Sequence, residues 1–204
     1  MKLKAFYWLC AAGVAATIAA ACSPKTEAPA AKPAAISTVA ELRVTATIKD
    51  IMDGIVDPSA DYLWDSVATI VTRKGTEERR PRTPEDWKNV RRRAIALVEA
   101  TNLLIMDGRK VAHPGEASEN PGIELGPDDM QPLIDADRAT FIQRAHALHD
   151  AGMQALAAID KKDVDGLSNA GETIDEACEQ CHLKYWYPPN TPDILKKGSV
   201  RKQS

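Results

Sequence analysis

The sequence predicts an all-α protein folded as an antiparallel four-helix bundle. From residue 39 onward, apolar residues recur at steps of three and four positions, which is the period of an amphipathic helix. Prolines and capping residues divide these stripes into four segments. We find no convincing strand pattern in the sequence. Four amphipathic helices joined by mostly short turns bury their apolar faces most simply in a bundle.

The first predicted helix carries an apolar stripe that ends at a break. The stripe consists of Leu42, Thr45, Ile48, Met52 and Ile55. Asp57-Pro58 resembles an N-cap followed by a proline at the first helical position, so we expect the helix to break or kink sharply there. Beyond the break the apolar face continues, before a polar, basic turn, through Leu63, Trp64, Val67, Ile70 and Val71.

The second helix restarts with a cap and a proline at Thr83-Pro84, followed by two acidic residues in its first turn. Its apolar stripe comprises Trp87, Val90, Ala94, Leu97, Thr101 and Leu104. The segment from His113 to Asp128 is rich in glycine and proline and has no period, which predicts a long loop.

The third helix is expected to begin between Pro127 and Pro132. Its stripe comprises Leu133, Phe141, Ala145, Leu148, Gly152, Leu156 and Ile159. The fourth runs from about Val164 to Tyr185, and Pro188-Pro189 prevents its continuation.

The most specific motif of the chain lies near the end of the fourth helix. Cys178, Cys181 and His182 form a C-x-x-C-H string, which is the signature of covalent c-type haem attachment. Two thiols at this spacing can each form a thioether to a haem vinyl group, and the adjacent histidine can then give its imidazole to the iron. A thioredoxin-like C-x-x-C pair is the alternative, but it belongs to a βαβ context that this sequence does not predict.

The amino-terminal residues predict export. Lys2 and Lys4 precede the apolar run from Phe6 to Ala21, which is shorter than an ordinary membrane span, so we interpret residues 1–21 as a signal peptide. The small residues before Cys22 resemble a bacterial lipoprotein cleavage box, which predicts lipidation of Cys22. Cleavage by an ordinary signal peptidase near Ala21 is the alternative.

Cysteine usage agrees with export. Cys10 is removed with the signal peptide, Cys22 carries the lipid on the lipoprotein interpretation, and the two motif cysteines hold the haem, so no pair remains for a disulfide. Residues 22–38, rich in Ala, Pro, Lys and Glu, predict a flexible linker. Residues 39–190 are then the bundle domain and residues 191–204 a basic tail.

A C-x-x-C-H motif on the last helix of a bundle resembles the cytochrome c′ and cytochrome c556 family, over roughly Val39 to Pro188. Tyr185 stands where the family carries an aromatic residue, whereas Trp186 replaces the basic residue that often follows it. The resemblance implies one covalent haem c, with His182 as the proximal axial ligand. It also implies periplasmic or membrane redox partners and, since these bundles often pair, a homodimer. The lipoprotein-like tether departs from the simplest members, which are soluble periplasmic proteins.

The second axial position decides the expected function. Met52 lies on the apolar face of the first helix, where the family places the residue that meets the distal face of the haem, so we favour it as the distal iron ligand. A His–Met pair predicts a low-spin electron-transfer protein. If Met52 merely packs, the distal site is open and the protein binds NO or CO, as cytochrome c′ does. An assembly role with an incidental haem is a remoter alternative.

Composition and motifs exclude other classes. A net charge of −3 and an aromatic content of 5% do not favour nucleic-acid binding. The sequence contains no nucleophile elbow, P-loop or dinucleotide-binding turn. We therefore expect a carrier protein and not an enzyme, placed on the periplasmic side of a bacterial membrane through the lipid on Cys22, or soluble in the periplasm if Cys22 is not lipidated.

Overall fold

The computed structural model describes residues 42–189 and confirms the all-α class. The first bundle member consists of α1 (Ile48–Ile51), a π-helical segment (Met52–Val56) and α2 (Asp57–Asp65). A small hairpin of β1 (Thr69–Thr72) and β2 (Gly75–Glu78) follows. The second member is α3 (Pro84–Leu104), the third is α4 (Pro127–Ala136) with α5 (Arg138–Lys161), and the fourth is α6 (Val164–Tyr185). The predicted signal peptide, Cys22, the linker and the basic tail lie outside the described residues.

The bundle closes on itself through four helix–helix interfaces. α2 packs on α3, α3 on α5, α5 on α6, and α6 returns to α2. The predicted stripe of α3 is buried throughout. At the interface between α3 and α5, a Cβ placed on Gly152 would lie 2.7 Å from Cγ2 of Val98, so this close approach requires glycine. Of the described helices, none has both the length and the apolar content needed to cross a membrane.

The first helix begins later than its apolar stripe predicts. Thr47 is the N-cap, and its hydroxyl accepts a hydrogen bond from the Asp50 amide while the Asp50 carboxylate accepts one from the Thr47 amide. This capping box satisfies two amides that the first turn would leave without partners. Leu42 therefore lies before the helix and is exposed.

The helix is not interrupted at Asp57-Pro58, where we predicted a break or a sharp kink, but its hydrogen-bonding pattern changes there. Asp57 has helical dihedral angles (φ −57°, ψ −56°), and its amide donates to the Met52 carbonyl, five residues earlier. Proline has no amide hydrogen and its ring clashes with the preceding turn. The chain accommodates Pro58 by widening one turn into a π-helix, so helical structure continues from Ile48 to Asp65.

The expectation of no strand is also wrong, although only for one short hairpin. Thr69–Thr72 pairs antiparallel with Gly75–Glu78, and Gly75 adopts φ +129° at the turn. Ile70 and Val71 thus do not extend the apolar face of the first helix, and Val71 is 77% exposed. Four β-branched residues in succession favour a strand once the helix has ended at Asp65.

The third bundle member is divided, where the sequence predicted one helix. Asp137 leaves the helical region (φ −137°, ψ 56°), and its carboxylate accepts a hydrogen bond of 3.2 Å from the Thr140 amide. It thereby caps the start of α5. The fourth helix agrees with the prediction, because α6 begins after Asp163 and ends at Tyr185.

Candidate functional site

The two motif cysteines lie on one face of α6, one turn apart. Both are half-buried, both pack against the bundle core, and they are not joined in a disulfide. Burial raises the pKa of Cys178 to about 12 and the pKa of Cys181 to about 11. These surroundings disfavour a thiolate and hence the reactivity of a thioredoxin-like pair. A thioether, which is neutral and apolar, suits the same position.

His182 follows on the last turn of α6 and is also half-buried. Burial lowers its pKa, although the negative charges of Glu179 and Asp57 oppose the effect. The neutral imidazole, which is the form that ligates a metal ion, is therefore favoured. Among the described residues, no group forms a hydrogen bond with the His182 ring. The ring instead packs against Trp186 and Tyr187.

The first and last bundle members run antiparallel beside this motif. The Trp64 indole N–H donates a 2.9 Å hydrogen bond to the Gly171 carbonyl oxygen. A Cβ on Gly171 would lie 3.0 Å from Cδ1 of Trp64, so the glycine permits this contact. Asp57 lies seven residues before Trp64, just as Cys178 lies seven residues after Gly171. In agreement with that register, the charge of Asp57 acts on Cys178.

The same register brings Met52 to the end of the bundle that carries the motif. Met52 lies five residues before Asp57, which corresponds to the level of Leu183, next to His182. Its side chain is half-buried and packs against the core. It is also the first residue of the π-helical segment, and such segments occur frequently at functional sites.

One buried polar group near the motif has no partner. The Nε atom of Arg144, on α5, is buried and forms no hydrogen bond. The positive charge of Arg144 nevertheless reaches Cys181, since it opposes the effect of burial on the pKa of that thiol. A buried N–H donor without a partner is costly, which favours an anionic group of a bound cofactor beside it. Sequence reasoning missed Arg144, and its place at the edge of the α5 stripe is only a weak signal.

These residues fit a covalently attached haem. Two half-buried thiols on one helical face match the two vinyl groups, and the neutral imidazole of His182 matches the iron. The Arg144 Nε atom, which has no partner, matches a haem propionate, because guanidinium and carboxylate groups form paired hydrogen bonds.

Other candidate groups are exposed or already paired. The side chains of Arg79, Arg91 and Arg92 are exposed and form ion pairs with nearby carboxylates. His146 is exposed, and His149 contacts the neighbouring Asp150 at 3.4 Å. Within residues 42–189, no cluster of three or more His, Cys, Asp and Glu side chains is arranged to hold a metal ion.

Fold and motif together define the class of this protein, an all-α bundle with a C-x-x-C-H site on its last helix. Solved structures similar to this chain include several that are named cytochrome c′ or cytochrome c prime. One structure named cytochrome c′ is 21% identical with a TM-score of 0.44, and the match covers 70% of this chain and 98% of that chain. A ferrous variant of cytochrome c prime from Alcaligenes xylosoxidans with bound NO is 20% identical, with a TM-score of 0.43. That match covers 69% of this chain and 96% of the variant.

A nitric oxide complex of another mutant of the Alcaligenes xylosoxidans protein is 21% identical, with a TM-score of 0.43. The match covers 70% of this chain and 98% of that mutant. No protein-family model matches the chain. No curated protein sequence matches it either.

Proposed function

We propose that this protein is an exported monohaem c-type cytochrome that transfers electrons, with one haem c bound through Cys178 and Cys181. The observation that carries the proposal is the set of two half-buried thiols and a neutral imidazole on the inner side of α6. His182 is the proximal iron ligand and Met52 the distal one. The bundle register, which brings Met52 to the level of His182, supports this pair.

Each side chain has a distinct task in this proposal. The thioethers of Cys178 and Cys181 fix the group to α6, and Arg144 pairs with one propionate. The haem supplies a one-electron Fe(III)/Fe(II) couple. The Met52 sulfur is a neutral, soft ligand, which favours Fe(II) and raises the reduction potential. With both axial positions filled by protein side chains, no position is open to a substrate, so the protein is a carrier and not an enzyme.

Export and membrane attachment belong to the same proposal. C-type haem is attached outside the cytoplasm, so the signal peptide and the C-x-x-C-H motif imply each other. Lipidation of Cys22 would hold the domain at the periplasmic side of a bacterial membrane through a flexible linker. Its redox partners are then periplasmic or membrane proteins.

An open distal site, binding NO or CO, is the second candidate function. Ile48, Met52 and Ile55 are apolar residues at helical spacing on the first helix. If the Met52 sulfur does not ligate the iron, these side chains give the distal face apolar surroundings, which suit a small uncharged gas.

Optical and EPR spectra of the purified protein, oxidised and reduced, with and without CO, test the proposal. Electron transfer through a His–Met site predicts a low-spin ferric signal, the near-infrared band of iron–methionine bonding and no response to CO. A high-spin signal with ready CO binding would replace it with the gas-binding function. A purified, exported protein without covalent haem would refute both.

A further inference from the structure

The loop before α4 contains a buried carboxylate. Glu124 is 8% exposed. Its carboxylate accepts hydrogen bonds from the Ser118 hydroxyl at 2.8 Å and from the Asn120 amide and side chain at 3.1 and 3.2 Å. Burial raises the pKa of Glu124, but the hydrogen bonds from Ser118 and Asn120 outweigh it, so that pKa lies below its ordinary value. Glu124 is therefore an ionised, fully hydrogen-bonded anchor.

The same loop is tied to the residue that follows α6. The Leu125 amide donates a 2.8 Å hydrogen bond to the Trp186 carbonyl oxygen, and Leu125 is completely buried. The Trp186 backbone is thus held by Leu125, the residue that follows the anchored Glu124. A side chain just beyond the last turn of a helix would otherwise be free to change its rotamer.

Trp186 in turn contacts His182. The two ring centroids are 4.8 Å apart and the ring planes are nearly perpendicular, at 86°. Histidines that ligate metals usually donate the second ring N–H to a carboxylate or a carbonyl, which fixes the ring orientation. Among the described residues, His182 has no such acceptor. The edge of the indole is therefore in a position to restrict rotation of the imidazole.

We propose that Glu124 and Trp186 form a brace that sets the orientation of the His182 imidazole on the haem iron. This inference rests on the proposed function, because the orientation matters once His182 ligates the iron. The brace replaces the usual hydrogen bond to the ligand. Since no carboxylate within residues 42–189 accepts a hydrogen bond from the second ring nitrogen, the imidazole gains no imidazolate character from these residues and remains a weaker donor, which favours Fe(II). Glu124 and Trp186 are positioning residues, and neither touches the iron.

Proton NMR of the ferric protein tests the brace, because the hyperfine-shifted haem methyl signals depend on the orientation of the axial imidazole plane. The variants are Glu124→Ala, which removes the anchor of the loop, and Trp186→Phe, which replaces the indole that contacts His182 with a smaller ring. Glu119→Ala, an exposed glutamate in the same loop, and Trp87→Phe, a buried tryptophan on α3, are the matched controls. Far-UV circular dichroism and covalent haem content establish that each variant is folded and loaded.

We expect one sharp set of haem methyl signals in the native protein and in both controls. Glu124→Ala and Trp186→Phe should each give a second set or broadened signals, with equal haem content. Unchanged signals in both variants would overturn the brace while leaving the proposed function intact. Absence of covalent haem from the native protein would instead remove the proposed function itself, and the brace with it. If Glu124→Ala does not fold, Trp186→Phe alone decides the question by the same criterion.

Discussion

The Trp64 indole N–H and the Gly171 carbonyl oxygen, 2.9 Å apart, set the register between the first and last members of the bundle. They join residues that are 107 positions apart in the chain. Seven residues toward the motif from this contact, the charge of Asp57 acts on Cys178, and five more residues bring Met52 to the level of Leu183, next to His182. In the proposed function, this register selects Met52 as the side chain of the first helix that faces the haem.

Replacing Met52 with Ala should convert a low-spin haem into a high-spin one that binds CO in the reduced state. The methyl side chain cannot reach the iron, and the loss of a neutral sulfur ligand also lowers the reduction potential. Optical spectra with and without CO, and EPR of the ferric form, measure the change. Met153→Ala is the matched control, because Met153 is an exposed methionine on α5. An unchanged spin state in Met52→Ala would show that Met52 only packs.

Replacing Gly171 with Ala should destabilise the protein by about 1–3 kcal/mol, because the added methyl group would overpack the interface with Trp64. Thermal or urea unfolding measures the loss. Gly54→Ala is the control, since a Cβ at that exposed position meets no atom within 4 Å. Equal stability of the two variants would show that the Trp64 contact adjusts without cost.

Replacing Trp64 with Phe removes the indole N–H while keeping an aromatic ring. The Gly171 carbonyl oxygen then loses its side-chain donor, and we expect a loss of about 1 kcal/mol in the free energy of unfolding. If the variant unfolds at the same urea concentration as the native protein, the hydrogen bond contributes nothing to stability.

Replacing Arg144 with Met should lower the reduction potential of the haem-loaded protein. A positive charge close to the iron disfavours Fe(III), and its removal stabilises the oxidised state. Spectroelectrochemical titration gives the potential. Arg91→Met is the control, because Arg91 is exposed and forms an ion pair with Asp160. A potential that moves no more in Arg144→Met than in Arg91→Met would contradict the pairing of Arg144 with a propionate.

Asp137 should make stability depend on acid pH. Hydrogen bonds from Lys184, at 2.5 Å, and from Thr140 lower the pKa of Asp137 from 3.8 to about 2. Because the folded pKa is depressed, the stabilisation is present above pH 3.8 and is lost as the pH falls toward 2. Asp137→Asn keeps a helix-capping side chain but removes this dependence. Unfolding curves collected from neutral to acid pH should therefore converge for the two proteins at the acid end, with Asp135→Asn as the control.

The apolar stripe of α3 and the extent of α6 are local features, and the sequence alone was sufficient to predict them. The α3 stripe is buried at every predicted position. A period of 3.6 residues places these apolar side chains on one face of the helix, and that face packs into the core because its exposure to water is unfavourable. The C-x-x-C-H motif is equally local, since its chemistry depends on residues within one turn of a helix. By contrast, the sequence did not predict the strand Thr69–Thr72. Its apolar residues are also compatible with a helix, and the periodicity of so short a run does not distinguish a strand from a helix.

The tertiary structure decided everything that depends on residues distant in the chain. Pro58 signals a disturbance, but its accommodation as a π-helical turn depends on keeping α2 packed against both α3 and α6. The support of Trp186 comes from elsewhere, because Leu125, in a loop that has no periodicity, donates a hydrogen bond to its carbonyl oxygen. Arg144 is one arginine among many until α5 packs on α6 and its Nε atom is buried near Cys181. Local spacing determines the motif and the elements, whereas burial and electrostatics at the site arise only when separate helices come together.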